Sequence, residues 1–283
     1  MPHYTSDELR DLEEKARSLR ITCLEMIHRR GAGHPGGSLS AAEIVAALYF
    51  RKLRVDPKRP EDPDRDRFVL SKGHASALLY AALAERGFFP REDLEAWGEL
   101  DCHLQGHPER LKTPGVDMTT GVLGHGVNIG AGLAMAGRLD GRSYRTYVLL
   151  GDGECQGGIV WEGAMTAAKY RLDRLTVIVD YNDVQLDGFV HEIMPLEPFV
   201  RKWEAFGFAV LEIDGHNMRQ VLEALDEVEN IHDRPAAIMA HTVKGKGVSF
   251  MESRSVWHGK APDAAELELA LKELAKGAGG GRE

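Results

Sequence analysis

The chain has 283 residues, 43% of them apolar, which is enough to bury a large core as one α/β domain. Its net charge of -9 argues against nucleic acid or an anionic membrane as the main partner. The cysteines (Cys23, Cys102, Cys155) form no CxxC, residues 1–15 carry no signal-peptide core, and no apolar run reaches transmembrane length, so a soluble cytoplasmic protein is expected.

In chain order, Thr5 with Glu8 predicts a capping box opening a first helix, and Gly31 predicts its stop. Ser40 with Glu43 predicts a second box, opening a helix that runs to Leu53. The basic stretches around Arg51–Arg54 and Lys58–Arg59 read as solvated surface. Strands are expected at 68–70, 147–150, 175–181, 208–213 and 236–240, with helical patterns at 158–172 and 217–229. The runs at 147–150 and 175–179 are nearly all apolar, as strands buried on both faces of a parallel sheet must be. The expected fold is a doubly wound, mostly parallel α/β domain over 1–283, with a helical N-terminal lead-in and a flexible glycine-rich tail at 274–283.

Ligands of such sheets sit beyond the carboxyl ends of the strands. There the chain places Gly151-Asp152-Gly153-Glu154 after one strand and Asn182-Asp183-Val184 after the next. Glycines flanking Asp152 allow close backbone approach, and the helix that follows offers free N–H groups to a phosphate. Asp152 and Asn182 supply hard oxygens which, with a backbone carbonyl, water and phosphate oxygens, complete an octahedral Mg²⁺ site. The string Gly31–Gly36 fits GxGxxG but follows a helix and contains Pro35, the wrong context for a dinucleotide site. Cys102, His103 and His107 suggest zinc less well, because Gly106 and Pro108 bracket His107.

GDG followed by about thirty residues and then Asn resembles the thiamine diphosphate motif. The segments GAGHPGGSLS (31–40), RFVLSKGHASALLYAAL (67–83), LQGHPERLKTPGVDMTTGVLGHG (104–126) and SVWHGKAP (255–262) resemble, in order and spacing, the cofactor-binding half of transketolases. The resemblance covers about residues 10–262. It implies that Asp152, Asn182 and the Val184 carbonyl hold Mg²⁺, with Ca²⁺ or Mn²⁺ as substitutes. It implies that Gly153 and Gly158 admit the diphosphate, with His74, His258, Lys72 and Lys244 beside it. Leu123 and Leu186 would flank the cofactor rings, and the backbone at Gly121 would meet the aminopyrimidine. His34, His107 and His258 would line a channel for sugar phosphates and relay protons.

The implied reaction moves a two-carbon ketol unit from a ketose phosphate to an aldose phosphate. Nothing in the chain resembles the pyrimidine-binding domain that follows in long transketolases. The resemblance therefore implies the N-terminal subunit of a split enzyme, two copies assembling with two of a C-terminal partner. The alternatives are a deoxyxylulose-phosphate-synthase-like enzyme and a non-catalytic, cofactor-binding regulatory subunit. Two positions depart from the family: Gly157 stands where a glutamate is usual, although Glu162 matches another family glutamate, and His125 stands where Gln is common.

Overall fold

A computed structural model describes residues 4–276. Helix α1 (Ser6–Arg30) has the ends its sequence predicts. Thr5 Oγ1 accepts from the Glu8 amide at 3.2 Å, the Glu8 carboxylate accepts from the Thr5 amide at 2.9 Å, and Gly31 closes the helix at φ 67°. Leu12, Ala16, Leu19, Cys23 and Ile27 recur three or four residues apart and form its buried stripe.

The second capping box does not form. In place of one helix from Ser40 to Leu53 there are α2 (Pro35–Ser40), α3 (Ala42–Ala47) and a π-helical turn at Leu48–Lys52. Ser40 ends α2 and donates to Asp180 Oδ2 at 2.6 Å, while Glu43 takes both terminal nitrogens of Arg20 at 2.7 and 2.6 Å. Both side chains are buried, so tertiary partners claim the groups that a surface cap would have used.

The chain continues through β1 (Arg67–Leu70), α4 (Ser76–Arg86), α5 (His125–Leu139), β2 (Thr146–Gly151), α6 (Gly158–Lys169), β3 (Leu175–Tyr181), α7 (Val190–Ile193), α8 (Phe199–Ala205), β4 (Ala209–Asp214), α9 (Met218–Glu227), β5 (Ala236–His241) and α10 (Ala264–Lys276). The five strands are all parallel, in the order β1-β2-β3-β5-β4. Side chains alternate between two cores. Tyr147, Leu149 and Ile178 join the layer of α1, α3, α4 and α9, whereas Val148, Leu150, Val177 and Val179 join that of α5, α6 and α8. Burial on both faces explains the apolar strand sequences, and the parallel order brings all five carboxyl ends to one edge.

A third cluster packs Ala270 and Leu274 of α10 against Leu24 and Leu39. Residues 274–276, assigned to a tail by the glycine-rich ending, therefore belong to the last helix, because Leu274 has a core to pack into. The rest of that tail, 277–283, lies outside the described residues. Among the described residues no helix is long and apolar enough to cross a membrane.

Candidate functional site

At the carboxyl edge of the sheet, β2 delivers Asp152 and β3 delivers Asn182 and Val184 to one cleft of about 250 Å³. Asp152 is only 2% exposed, and its carboxylate accepts from the amides of Gly153 (2.7 Å) and Asp183 (2.5 Å). Asn182 donates to Asp180 Oδ2 at 3.1 Å and accepts from the Val184 amide at 3.1 Å, so its neighbours fix the amide's orientation. Gly153 brings the backbone close to the facing loop: a methyl there would stand 3.1 Å from Cβ of Gln185, tighter than ordinary contact.

Two lysines enter the same cleft. Lys72, just past β1, pairs with Asp180 and donates to the Gly37 carbonyl at 2.7 Å. Burial alone would raise the Asp180 pKa, but Lys72 and hydrogen bonds from Lys72, Ser40 and Thr242 hold it below the usual carboxylate range. Lys244, past β5 and 3% exposed, donates to the Val184 carbonyl (2.6 Å) and to His258 Nδ1 (2.9 Å). Burial and the neighbouring Lys72 push its pKa down to about 8, and burial with Asp180 pushes Asp152 up to about 7. Among the described residues, Asp152 thus has two backbone amides and no cation as hydrogen-bond or ion-pair partners, and Lys244 has no anion in contact. A buried carboxylate facing a cleft with a buried ammonium fits a ligand that brings both a cation and an anion.

The rings of His34, His74 and His258 stand 5.0–5.4 Å apart, centroid to centroid. Burial, then Lys244, takes the His258 pKa to about 3; burial and Lys72 hold His74 well below its ordinary value, and burial and His107 lower His34. All three are therefore neutral imidazoles. The exposed His107 ring lies against Gly121, a methyl on which would stand 3.4 Å away, and Gly121 in turn crosses over Gly73 beside His74. Leu123 and Leu186, 47% and 62% exposed, present apolar surface at the cleft. Gly158 does not line the cleft. It opens α6, exposed, with open space where a side chain would stand.

Asp152, Glu154, Asn182, Lys72, Lys244, His74 and His258 line one cleft, with His34 packed edge-on against its two histidines. Residues 12–277 match the family model described as transketolase, thiamine diphosphate binding domain. The chain belongs to the transketolase family. It is 43% identical over 271 residues to the 6-deoxy-6-sulfo-D-fructose transketolase subunit SqwG of a Clostridium species, covering 96% of this chain and 98% of that one. It is equally similar, 43% over 265 residues, to an apulose-4-phosphate transketolase subunit of Actinobacillus succinogenes, covering 93% and 96%. Human transketolase is 37% identical over 268 residues, which is 94% of this chain and 42% of that enzyme. The solved transketolase of Pichia stipitis in complex with sedoheptulose-7-phosphate superposes with a TM-score of 0.90 at 29% identity, covering 95% of this chain and 41% of that one. The chain thus spans about two-fifths of a long transketolase.

Seen as a transketolase domain, the cleft contains residues that the motifs did not single out. Glu154, 7% exposed, accepts from the Gly124 amide (2.6 Å), the Gly151 amide (3.1 Å) and the Ser71 hydroxyl, tying together the loops that carry Lys72, Leu123 and Asp152. Asp180 is the fully buried hub beneath Lys72 and Asn182. Its signal was available in LTVIVDY, where one charge interrupts an otherwise apolar buried strand. Gly157 is exposed with an extended backbone (φ -72°, ψ 127°), and a methyl there would meet only the Glu154 carbonyl at 3.4 Å and Ile159 at 3.9 Å. His125 begins α5 and Glu162 lies on α6, both exposed. Among the described residues no group of His, Cys, Asp and Glu is clustered as a zinc site, and His103 pairs with Asp93 at 3.0 Å.

Proposed function

We propose that this chain is the cofactor-holding subunit of a two-chain transketolase, which transfers a two-carbon ketol unit between ketose and aldose phosphates with thiamine diphosphate and Mg²⁺. The observation that carries this reading is the pair of buried, mutually separate charges, Asp152 and Lys244, facing one cleft. The relatives that this chain matches end to end are named as subunits of sulfofructose and apulose-4-phosphate transketolases.

In this reading Asp152, the Asn182 amide oxygen and the Val184 carbonyl would hold Mg²⁺, or Ca²⁺ or Mn²⁺ in its place. Lys244, Lys72, His74 and His258 would hydrogen-bond to the diphosphate. Gly153 would admit the diphosphate to the strand end, and Gly158, outside the cleft, would take no part in holding it. Leu123 and Leu186 cover the rings, and the backbone at Gly121 meets the aminopyrimidine. When bound, thiamine diphosphate supplies the electron sink for breaking a carbon–carbon bond beside a carbonyl. The protein's share is orientation and proton handling. His34, His107 and His258 would donate to and accept from sugar hydroxyls, and a neutral imidazole can take a proton on one ring nitrogen as it gives one up from the other, so that no net charge stays on the ring. A site built from such donors discriminates strongly for polyols.

A partner subunit with the pyrimidine-binding domain completes the site, in a cytoplasmic assembly of two copies of each chain. The test is to purify this chain with and without that partner. Ketol transfer from a ketose phosphate is expected only from the mixture with cofactor and Mg²⁺. Activity from this chain alone overturns the split reading, and cofactor binding without turnover in the full mixture favours a regulatory subunit.

A further inference from the structure

Glu43, read from the sequence as a helix cap, instead sits in a buried chain of contacts outside the cleft. Its carboxylate grips Arg20 through two hydrogen bonds, and Oε2 also lies 3.0 Å from His216 Nδ1. On the far side of the imidazole, Nε2 lies 2.8 Å from the Val243 amide nitrogen. A backbone N–H only donates, so Nε2 accepts and the proton sits on Nδ1, where it donates to Glu43. One residue further on, Lys244 reaches Val184 and His258.

The local backbone is shaped for this contact. His216 follows Asp214-Gly215 at the end of β4. A methyl on Gly215 would stand 2.5 Å from Thr242 Cγ2 and 3.1 Å from the His241 carbonyl, so only glycine lets the His216 turn lie against the segment leaving β5. The Gly215 amide donates to that same His241 carbonyl at 2.8 Å, and the His216 amide is capped by Asp214 Oδ1 at 2.9 Å. Thr242 is fixed by Asp180 and Gly245 by the Gly36 carbonyl, which leaves the Val243 amide to His216.

We propose that Arg20, Glu43 and His216 form a positioning relay, with His216 holding the Val243 amide so that the Thr242–Gly245 segment presents Lys244 to the cleft. The relay rests on reading that cleft as the diphosphate site, and its role is to pre-set an ammonium whose buried side chain would otherwise lose entropy on binding. His216 touches neither cofactor nor substrate.

The test uses the full chain and two readouts: exchange of the Val243 amide with solvent deuterium, and calorimetric binding of inorganic diphosphate with Mg²⁺. A Gln amide stands about where Nε2 does, and an Asn amide about where Nδ1 does. His216→Ala and His216→Asn are expected to speed Val243 exchange and to weaken diphosphate binding about tenfold each, the order of one lost hydrogen bond. His216→Gln, which again accepts from Val243, is expected to restore both to within about threefold of wild type. In the assembled enzyme the Ala variant should raise the apparent KM for thiamine diphosphate while leaving saturated kcat nearly unchanged. A folded Ala variant with wild-type exchange or wild-type diphosphate affinity overturns the relay. Where Ala does not fold, equal behaviour of the Asn and Gln variants overturns it. If the wild-type chain binds no diphosphate, the cofactor reading is what fails, and Val243 exchange alone decides the relay.

Discussion

The two ends of the sheet differ in whether every buried charge finds an opposite. At the amino-terminal end the buried charges meet their opposites. Arg65 pairs with Asp117 at 2.9 Å, Asp66 with Arg54 at 2.9 Å, and Lys52 with Asp226 at 2.5 Å and with Glu229 at 3.0 Å. At the carboxyl end Lys72 and Asp180 also pair, but among the described residues Asp152 has only amides and Lys244 only a carbonyl and an imidazole. The contrast is sharpest between two carboxylates of similar burial. Glu43, flanked by Arg20 and His216, has its pKa drawn down to about 2 against the opposing pull of burial, whereas burial and the neighbouring Asp180 push Asp152 up to about 7. Charge that is internally neutralised stabilises the fold, and charge left open is available to a ligand.

The largest expected effect falls at the open end. Asp152→Asn should abolish Mg²⁺-dependent binding of thiamine diphosphate in the assembled complex, a loss of more than about 10²-fold, while changing stability by roughly 1 kcal/mol or less. Calorimetry showing wild-type affinity would remove Asp152 from the metal site. The matching change at the paired end should do the reverse. Asp117→Ala strands the buried Arg65 and frees the Phe68 amide it accepts from at 2.8 Å, so about 3 kcal/mol or more of stability should disappear in urea unfolding. Binding by the folded fraction should not change. If it does, the two ends are coupled.

Glu43 offers a gentler probe through pH. Its folded pKa lies below the unfolded value of about 4.3, so its contribution is fully present above that value and is lost as pH falls towards 2. Wild type should therefore lose stability between about pH 4.5 and pH 2 more steeply than Glu43→Gln, by an amount on the order of 3 kcal/mol across the window. Parallel unfolding curves for the two proteins would show that Arg20 does not control the group. The smallest effect is expected at Gly157. Space and backbone there accept a side chain, so Gly157→Glu should fold normally and change turnover of the assembled enzyme by less than about tenfold, roughly 1.4 kcal/mol. An inactive native complex switched on by this substitution would instead mark the native chain as regulatory.

Much of the candidate site was legible because its residues are written next to strand ends. Apolar runs at 147–150 and 175–179 announced buried strands, and the residues just after them, Asp152 and Asn182, had to lie at the carboxyl edge of a parallel sheet. Gly158 opens α6 without lining the cleft, a placement its sequence could not show, because a glycine at a helix start reads the same wherever the helix points. The box at Ser40 and Glu43 was misread for a related reason. Capping is a local pattern, and it holds at Thr5 and Glu8 because both face solvent, where no other partner competes.

By itself, then, the sequence determined the strands, the first helix with both of its caps, and which polar side chains stand just past the strand ends. Each of these follows from short-range spacing or from a side chain's own chemistry. Tertiary structure alone decided which charges would find partners. Asp180 and Lys72 are 108 residues apart, Glu43 and His216 are 173 apart, and Lys244 and Val184 are 60 apart. No local pattern encodes those meetings, because they depend on strand order and on which face each helix covers. The same burial that neutralises one carboxylate with an arginine leaves another open at the edge of the sheet.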